Sequence, residues 1–351
     1  MTSARTGRSN PADERIHERT GGRTEGRTEG RTDGRAVFGL GLLDRWVDDD
    51  AVEEVLVNGG SQVWIARRGV AGTQYVGRLE PGVVDVVIER LLAPTGRRLD
   101  RAAPVVDARL PDGTRVCAVL PPVAPDGPCL ALRKFPRHHL GLDRFATPDV
   151  ISLLDEVVHA RCNVLVSGAT SSGKTSLLNA LASRVHADER IITLEDTAEL
   201  RLATAHVLRL ETRPASVEGV DAVDMTALVR TALRLRPDRL IVGEIRGDEA
   251  ADLVQALNTG HDGSLATLHA NSPDDALARL RSLVVRAAPG WPLDDVAVQI
   301  ARSIDVVVHV ERDRVGVRSV RQVVEVDGTR GTVRCLASDG VRAGELIRRR
   351  R

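Results

Sequence analysis

The stretch VLVSGATSSGKTSLLNAL, residues 164–181, leaves its chain few folds to choose from. An apolar run enters it, a G-x-x-x-x-G-K-[ST] loop spans Gly168 to Thr175, and helical spacing leaves it. Such a loop works where a buried strand hands over to a helix. The glycines let backbone N–H groups curl round phosphate oxygens, and the helix N-terminus adds partial positive charge. The candidate cradle is Gly168, Ala169, Thr170, Ser171, Ser172, Gly173, Lys174, Thr175 and Ser176. Lys174 is suited to the β- and γ-phosphates, and the Thr175 hydroxyl to Mg²⁺. The expected ligand is ATP with Mg²⁺.

Around the loop the pattern alternates short apolar runs with helical spacing, which signals a mostly parallel sheet with helices on its faces. The strand candidates are NVLVSG, RIITLE, RLIVGE and SLATLH, with IDVVVHVE later. Helices are expected after Gly173, over Met225 to Leu235, over Glu249 to Leu257 and over Asp274 to Val285. Thr147-Pro148 reads as an N-cap with proline at the first helical position. Antiparallel strands over 305–338, turning at Asp327-Gly328, complete the expectation.

A length of 351 residues suggests two domains. Aromatic residues are only 2%, so the cores must be aliphatic. Residues 1–37 hold GRTEGRTEGRTDGR, too poor in apolar groups to offset ordering entropy, and read as a disordered tail. A smaller N-terminal α/β domain is expected over 38–135. It should carry a hairpin turning at Asn58-Gly59-Gly60, a helix in PGVVDVVIERLL, and two strands joined at Pro111-Asp112-Gly113. Residues 136–147 read as a linker, 148–340 as the nucleotide domain and 341–351 as a basic tail.

Two acidic sites fall at ends of apolar runs. RLIVGEIRG offers Glu244, and IITLEDTAEL offers Glu195 and Asp196. Strand-end carboxylates in a parallel sheet converge on one crevice, where one can organise Mg²⁺ and the other polarise water. NTGHDGSLATLHANSP adds His261 and His269 as candidates to sense the terminal phosphate. Arg133, Arg209 and Arg246 are candidate positive charges for phosphate, drawn from 47 arginines against only two lysines, Lys134 and Lys174. The four cysteines, at 117, 129, 162 and 335, are widely spaced, so no zinc is expected. Basic and acidic residues balance at 49 each and bases would find few aromatic platforms, so no direct nucleic-acid binding is expected. No apolar run approaches a membrane span, which points to the cytoplasm.

Four blocks occur in order: GATSSGKT, ITLEDTAEL, LRPDRLIVGEIRGDEA and TGHDGSLATLHANSP. Together they resemble the Walker A, Asp, Walker B and His boxes of type II and type IV secretion ATPases. RLDRAAPVVDARLPDGTRVCAVLPP and LALRKF resemble the N-terminal domain of the tight-adherence (Flp) pilus assembly branch, close to conjugation-type motors. The resemblance covers about residues 40–325. It implies a RecA-like P-loop NTPase domain with the smaller N-terminal α/β domain, a homohexameric ring with nucleotide between the domains, and inner-membrane platform proteins as partners at the cytoplasmic face. By carry-over Lys174 and Thr175 bind phosphate and Mg²⁺, Glu195 activates water and Glu244 organises Mg²⁺, with the reverse assignment of the two glutamates open. His261 and His269 become sensors, and Arg133 and Arg209 phosphate contacts in a closed state. A DNA-conjugation or DNA-uptake motor would share this chemistry. A RecA-core helicase or recombinase and a small-molecule kinase are the readings from other classes.

Overall fold

The computed structural model describes residues 40–70, 72–134, 140–202, 204–213, 215, 221–329 and 331–348. The expected tail at 1–37 lies outside them, as do 135–139 and 349–351. The chain divides between residues 137 and 138 into two compact units.

The first unit holds α1 (Asp44–Val47), β1 (Val52–Asn58), β2 (Gln62–Arg67), β3 (Gln74–Arg78), α2 (Val83–Leu92), β4 (Val105–Arg109), β5 (Arg115–Val119) and β6 (Cys129–Arg133). Its antiparallel sheet has the order β3-β2-β1-β6-β5-β4. Val55, Val57, Ile65, Leu130 and Leu132 pack with Val84, Val87, Ile88 and Leu91 of α2 in one aliphatic core. The hairpin turns through Gly59 and Gly60, both at positive φ, which glycine adopts without steric cost. The turn at 111–113 is fastened by Asp112, whose carboxylate accepts from the Thr114 amide at 2.9 Å.

The second unit holds α3 (Pro148–His159), β7 (Val164–Gly168), α4 (Lys174–Ala182), β8 (Ile191–Glu195), β9 (Val207–Glu211), α5 (Met225–Ala232), β10 (Arg239–Val242), α6 (Glu249–Leu257), β11 (Leu265–His269), α7 (Pro273–Ala287), α8 (Leu293–Ser303), β12 (Val306–Arg312), β13 (Arg318–Val326), β14 (Val333–Ser338) and β15 (Val341–Arg342). Nine strands form one sheet in the order β15-β14-β13-β12-β7-β11-β10-β8-β9. The run from β12 to β9 is parallel, and β13 to β15 are antiparallel. Alternation along the strands explains the layers. Val164 and Val166 pack toward α3 and α4, while Leu165 between them packs toward α5 to α8. With both faces covered, β7 is buried end to end.

Helix starts follow local chemistry. Ser272 caps α7 by accepting from the Asp275 amide at 3.0 Å, with Pro273 in the first turn. Thr147 precedes α3 but does not cap it through its side chain; its hydroxyl donates to the Gly340 carbonyl at 2.6 Å instead.

Two expectations are corrected. Of the segment expected as linker, 140–147 belongs to the second unit: Leu142 and Phe145 are buried, and the Phe145 carbonyl accepts from the Val320 amide at 2.8 Å. The segment expected as a basic tail from 341 instead adds the short strand β15 at 341–342 and then packs, without regular structure, through residue 348. Buried Glu325 accepts from the amides of Ile347 and Arg348. The Arg348 guanidinium donates to the carbonyls of Ala301, Ile304, Val326 and Arg302, and pairs with fully buried Asp305 at 2.7 Å. A guanidinium fork with several backbone acceptors is a structural anchor, a role that a run of arginines in sequence does not reveal. Among the described residues no helix is long and apolar enough to cross a membrane.

Candidate functional site

The loop between β7 and α4 is shaped by sterics. Gly168 closes the buried strand, and a Cβ there would stand 2.4 Å from the Val310 carbonyl oxygen and 2.5 Å from Ser172 Oγ. Gly173 takes φ +103° as the residue before α4, and a Cβ there would stand 2.7 Å from Arg318 Cδ. Both positions exclude every side chain. Ser171 also takes positive φ, so the loop holds a conformation that its surroundings impose. Lys174, nearly buried, folds over the loop and donates to the carbonyls of Gly168 at 3.1 Å and Ala169 at 2.9 Å. Ser172 Oγ is buried without a hydrogen-bond partner. Thr175 and Ser176 follow in the first turn of α4.

Strand pairing brings His269 to this loop. β11 lies beside β7 with His269 opposite Gly168 in register, and Nδ1 stands 3.4 Å from Thr170 Oγ1. On the far side of β7, His309 of β12 is opposite Ser167 in register; its Nδ1 is 2.9 Å from Ser167 Oγ. Burial pushes the His309 imidazole below its ordinary pKa, against the pull of Glu311, whose carboxylate is 3.4 Å from Nε2. His309 escaped the sequence reasoning because it sits in an apolar run, where a histidine reads as filler.

The carboxylates gather at the carboxyl ends of β8 and β10. Glu195 ends β8 and is only 2% exposed. One of its oxygens, Oε1, accepts from the amides of Glu199 at 2.8 Å and Leu200 at 2.9 Å, while Oε2 is buried without a hydrogen-bond partner. Burial pushes this carboxyl up to about 7; the two amide donors oppose the rise, and the Glu199 and Glu211 carboxylates add to it. Gly243 makes the room, since a Cβ there would stand 3.0 Å from Glu195 Cγ. Glu244 follows Gly243 and pairs with Arg246, which also reaches Asp196 at 3.2 Å. The Thr267 hydroxyl of β11 donates to the Gly243 carbonyl at 2.6 Å, tying this cluster to the strand that carries His269.

The fold therefore lines up Lys174, His269, Glu244 and Glu195 along one sheet end, at or just beyond the carboxyl ends of the neighbouring strands β7, β11, β10 and β8. At about 4.8 Å per strand, β8 lies about 14 Å from β7. A row of that length suits a ligand with a chain of charged groups better than a compact one. The residues fit a nucleotide and a divalent cation on two counts. The tight loop, which Gly168 and Gly173 permit, keeps the buried Ser172 hydroxyl unpartnered beside the start of α4, and the carboxylate oxygens of Glu244 and Glu195 are hard donors suited to Mg²⁺.

Three sequence candidates fall elsewhere. His261 lies beyond the amino end of β11, about 13 Å or more from His269 by strand rise, with Nδ1 3.0 Å from the Ala256 carbonyl at the end of α6. It trims a helix end and does not line the crevice. Arg209 is exposed in the middle of edge strand β9, opposite Thr193 and two residues short of the crevice end. Arg133 belongs to the first unit, on β6 opposite Glu54, with its Nε 3.7 Å from the Glu54 carboxylate. Arg246 is held by carboxylates and, at its backbone, by the Glu249 side chain at 2.6 Å.

Comparison with known proteins agrees with this architecture. The family described as Type II/IV secretion system protein matches residues 38–341. The "Putative conjugal transfer protein" of Mycobacterium tuberculosis is 38% identical over 309 residues, 85% of this chain and 87% of that one. The type IV secretion system protein PtlH of Bordetella pertussis is 36% identical over 325 residues, covering 82% and 94%. The X-ray structure of the ATPase DotB from Yersinia pseudotuberculosis shares the fold, with a TM-score of 0.59 and 16% identity over 85% of this chain and 83% of that one. The chain belongs to the type II/IV secretion system protein family.

Proposed function

We propose that this family member is a motor that hydrolyses ATP to ADP and phosphate and uses the energy for pilus assembly or secretion across the cell envelope. The observation that carries the reading is the alignment of Lys174, His269, Glu244 and buried Glu195 along one end of the parallel sheet. Backbone amides of Gly168 to Ser176 and the Lys174 ammonium receive the phosphates, the lysine leaving the loop carbonyls that it now contacts. Thr175 and Glu244 would hold Mg²⁺, with Glu195 a further ligand candidate; the bound ion supplies positive charge to the phosphate oxygens. Glu195 takes the water's proton at Oε2, the oxygen that Glu199 and Leu200 leave open. A carboxyl poised near 7 suits a general base working near neutrality. Glu244 is held by Arg246, which would have to give way to the ion, whereas Glu195 keeps an unpartnered oxygen for a water; that open oxygen favours this assignment over its reverse. His269 and Thr170 report the terminal phosphate to the loop. Arg133 and Arg209 act only where another part of the assembly brings them to a phosphate.

The working form is a cytoplasmic homohexamer docked on inner-membrane platform proteins, with the tight-adherence pilus branch as the first assignment. The names of the Mycobacterium and Bordetella relatives favour a second reading of the cargo, conjugal transfer or type IV secretion by the same chemistry. The test of the chemistry is steady-state turnover of the purified chain beside Lys174→Ala. The variant should lose turnover to background together with nucleotide binding; wild-type turnover in the variant would refute the phosphate-loop assignment. The test of the assembly is solution mass with a non-hydrolysable ATP analogue. A species six times the protomer's 37.8 kDa supports the ring, and a monomer with and without nucleotide contradicts it.

A further inference from the structure

The far side of the phosphate loop carries a second set of residues. β12 runs parallel to β7, so its carboxyl end lies at the same end of the sheet as the loop. There the chain turns back, pairing Arg312 with Arg318, and β13 begins at Arg318. The Arg318 side chain leans against the start of α4. Its Cδ lies 2.7 Å, and its Nε 3.3 Å, from the point where a Cβ on Gly173 would stand. Phe145 Cε1 approaches the same point to 3.3 Å, and the Phe145 carbonyl is fixed to β13 through the Val320 amide. A cationic side chain and an aromatic edge thus converge on the residue before the helix.

The order of strands gives this placement a direction. His269, Glu244 and Glu195 all stand on the β11 side of β7. On the ATPase reading above, on which this inference rests, the terminal phosphate must point to that side. The α-phosphate, ribose and base then extend to the opposite side, over β12 and β13, where Arg318 stands. We infer that Arg318 is a nucleotide-binding residue for the non-reacting end of the nucleotide. Its guanidinium meets the α-phosphate and the face of the base, contacts that ADP and ATP make alike. Gly173 is then required twice, for its positive φ and for the passage of the Arg318 stem.

The experiment is calorimetric titration of the full chain with ADP and with a non-hydrolysable ATP analogue, in wild type, Arg318→Ala and Arg318→Met. The methionine keeps an unbranched stem against Gly173 and Phe145 and removes the charged fork, so a folding failure of the alanine variant leaves the test intact. Both variants should bind ADP and the analogue about tenfold more weakly, by the same factor for each, and KM for ATP should rise more than kcat falls. Wild-type affinity for ADP in both variants overturns the inference. Loss of the analogue with ADP unchanged also overturns it, because Arg318 would then serve the terminal phosphate. If the wild-type chain binds neither nucleotide, the phosphate-loop reading itself fails, and the inference falls with it.

Discussion

Glu195→Gln should make the protein more stable and less active at once, in a pH-dependent way. The native carboxyl is raised from 4.5 to about 7, chiefly by burial. A carboxyl raised by folding holds its proton in the native state at pH values where the unfolded chain has released it. Stability therefore falls as pH climbs from about 4.5 to about 7, and the full cost is present above 7. A rise of about 2.5 units corresponds to about 3 kcal/mol. Glutamine removes that cost. Its amide oxygen can still accept from Glu199 and Leu200, while its NH₂ takes the place of unpartnered Oε2 and gives back about 1 kcal/mol. The variant should be about 1 kcal/mol less stable than wild type near pH 4.5, where the native carboxyl is still protonated and there is little cost to remove, and about 2 kcal/mol more stable at pH 8, a Tm increase of roughly 4–8 °C for a unit of this size. Scanning calorimetry of both proteins at the two pH values reads this directly. Turnover should fall by at least about a hundredfold, with ADP affinity retained. A stability difference equal at both pH values, or a variant less stable at pH 8, would refute the argument that an ionised, desolvated Glu195 is held against its own preference.

Gly168→Ala places a methyl 2.4 Å from the Val310 carbonyl and should cost about 1–3 kcal/mol in thermal unfolding while abolishing ADP binding. Adding Ser172→Ala should not restore binding, because the backbone clash persists. Arg348→Ala leaves fully buried Asp305 without its guanidinium partner and releases four carbonyls, so denaturant unfolding should show a loss of about 3–5 kcal/mol.

Legibility in the sequence tracked how local the cause was. The phosphate loop, the helix start at Pro148 and strands such as IITLE are readable because each needs only neighbours in sequence to declare itself, whereas the Thr147 hydroxyl goes to the distant Gly340 carbonyl and not to the cap. The first unit's β3 and β6, and the edge strand β9, went unseen. Their patterns are short and half-exposed, and they become strands only through the ladder that they join. The same limit explains the residues. Glu195 and Glu244 could be read as strand-end acids, but that one is desolvated and the other ion-paired depends on Gly243, Arg246 and the turn at 199–200, which meet them only in the fold. The two histidines of one block looked equivalent by spacing, yet they lie at opposite ends of β11, because five strand residues separate an entrance from an exit.

Lysine usage shows where composition stops being informative and geometry begins. With 47 arginines and two lysines, the chain puts arginine wherever a guanidinium will serve, so a retained lysine is weak evidence by itself. Both lysines turn out to do the same physical thing. Lys174 Nζ donates to the carbonyls of Gly168 and Ala169, and Lys134 Nζ donates to the Asp49 carbonyl at 2.5 Å. Each ammonium is drawn up against backbone oxygens, which its compact charge and rotatable donors can meet. Arg348, by contrast, spreads over four carbonyls and a carboxylate, a task for the wider group. At Lys174 the two carbonyls are placed by the turn that Gly168 and Gly173 make possible, so the glycines of the loop set where its lysine rests as well as its shape.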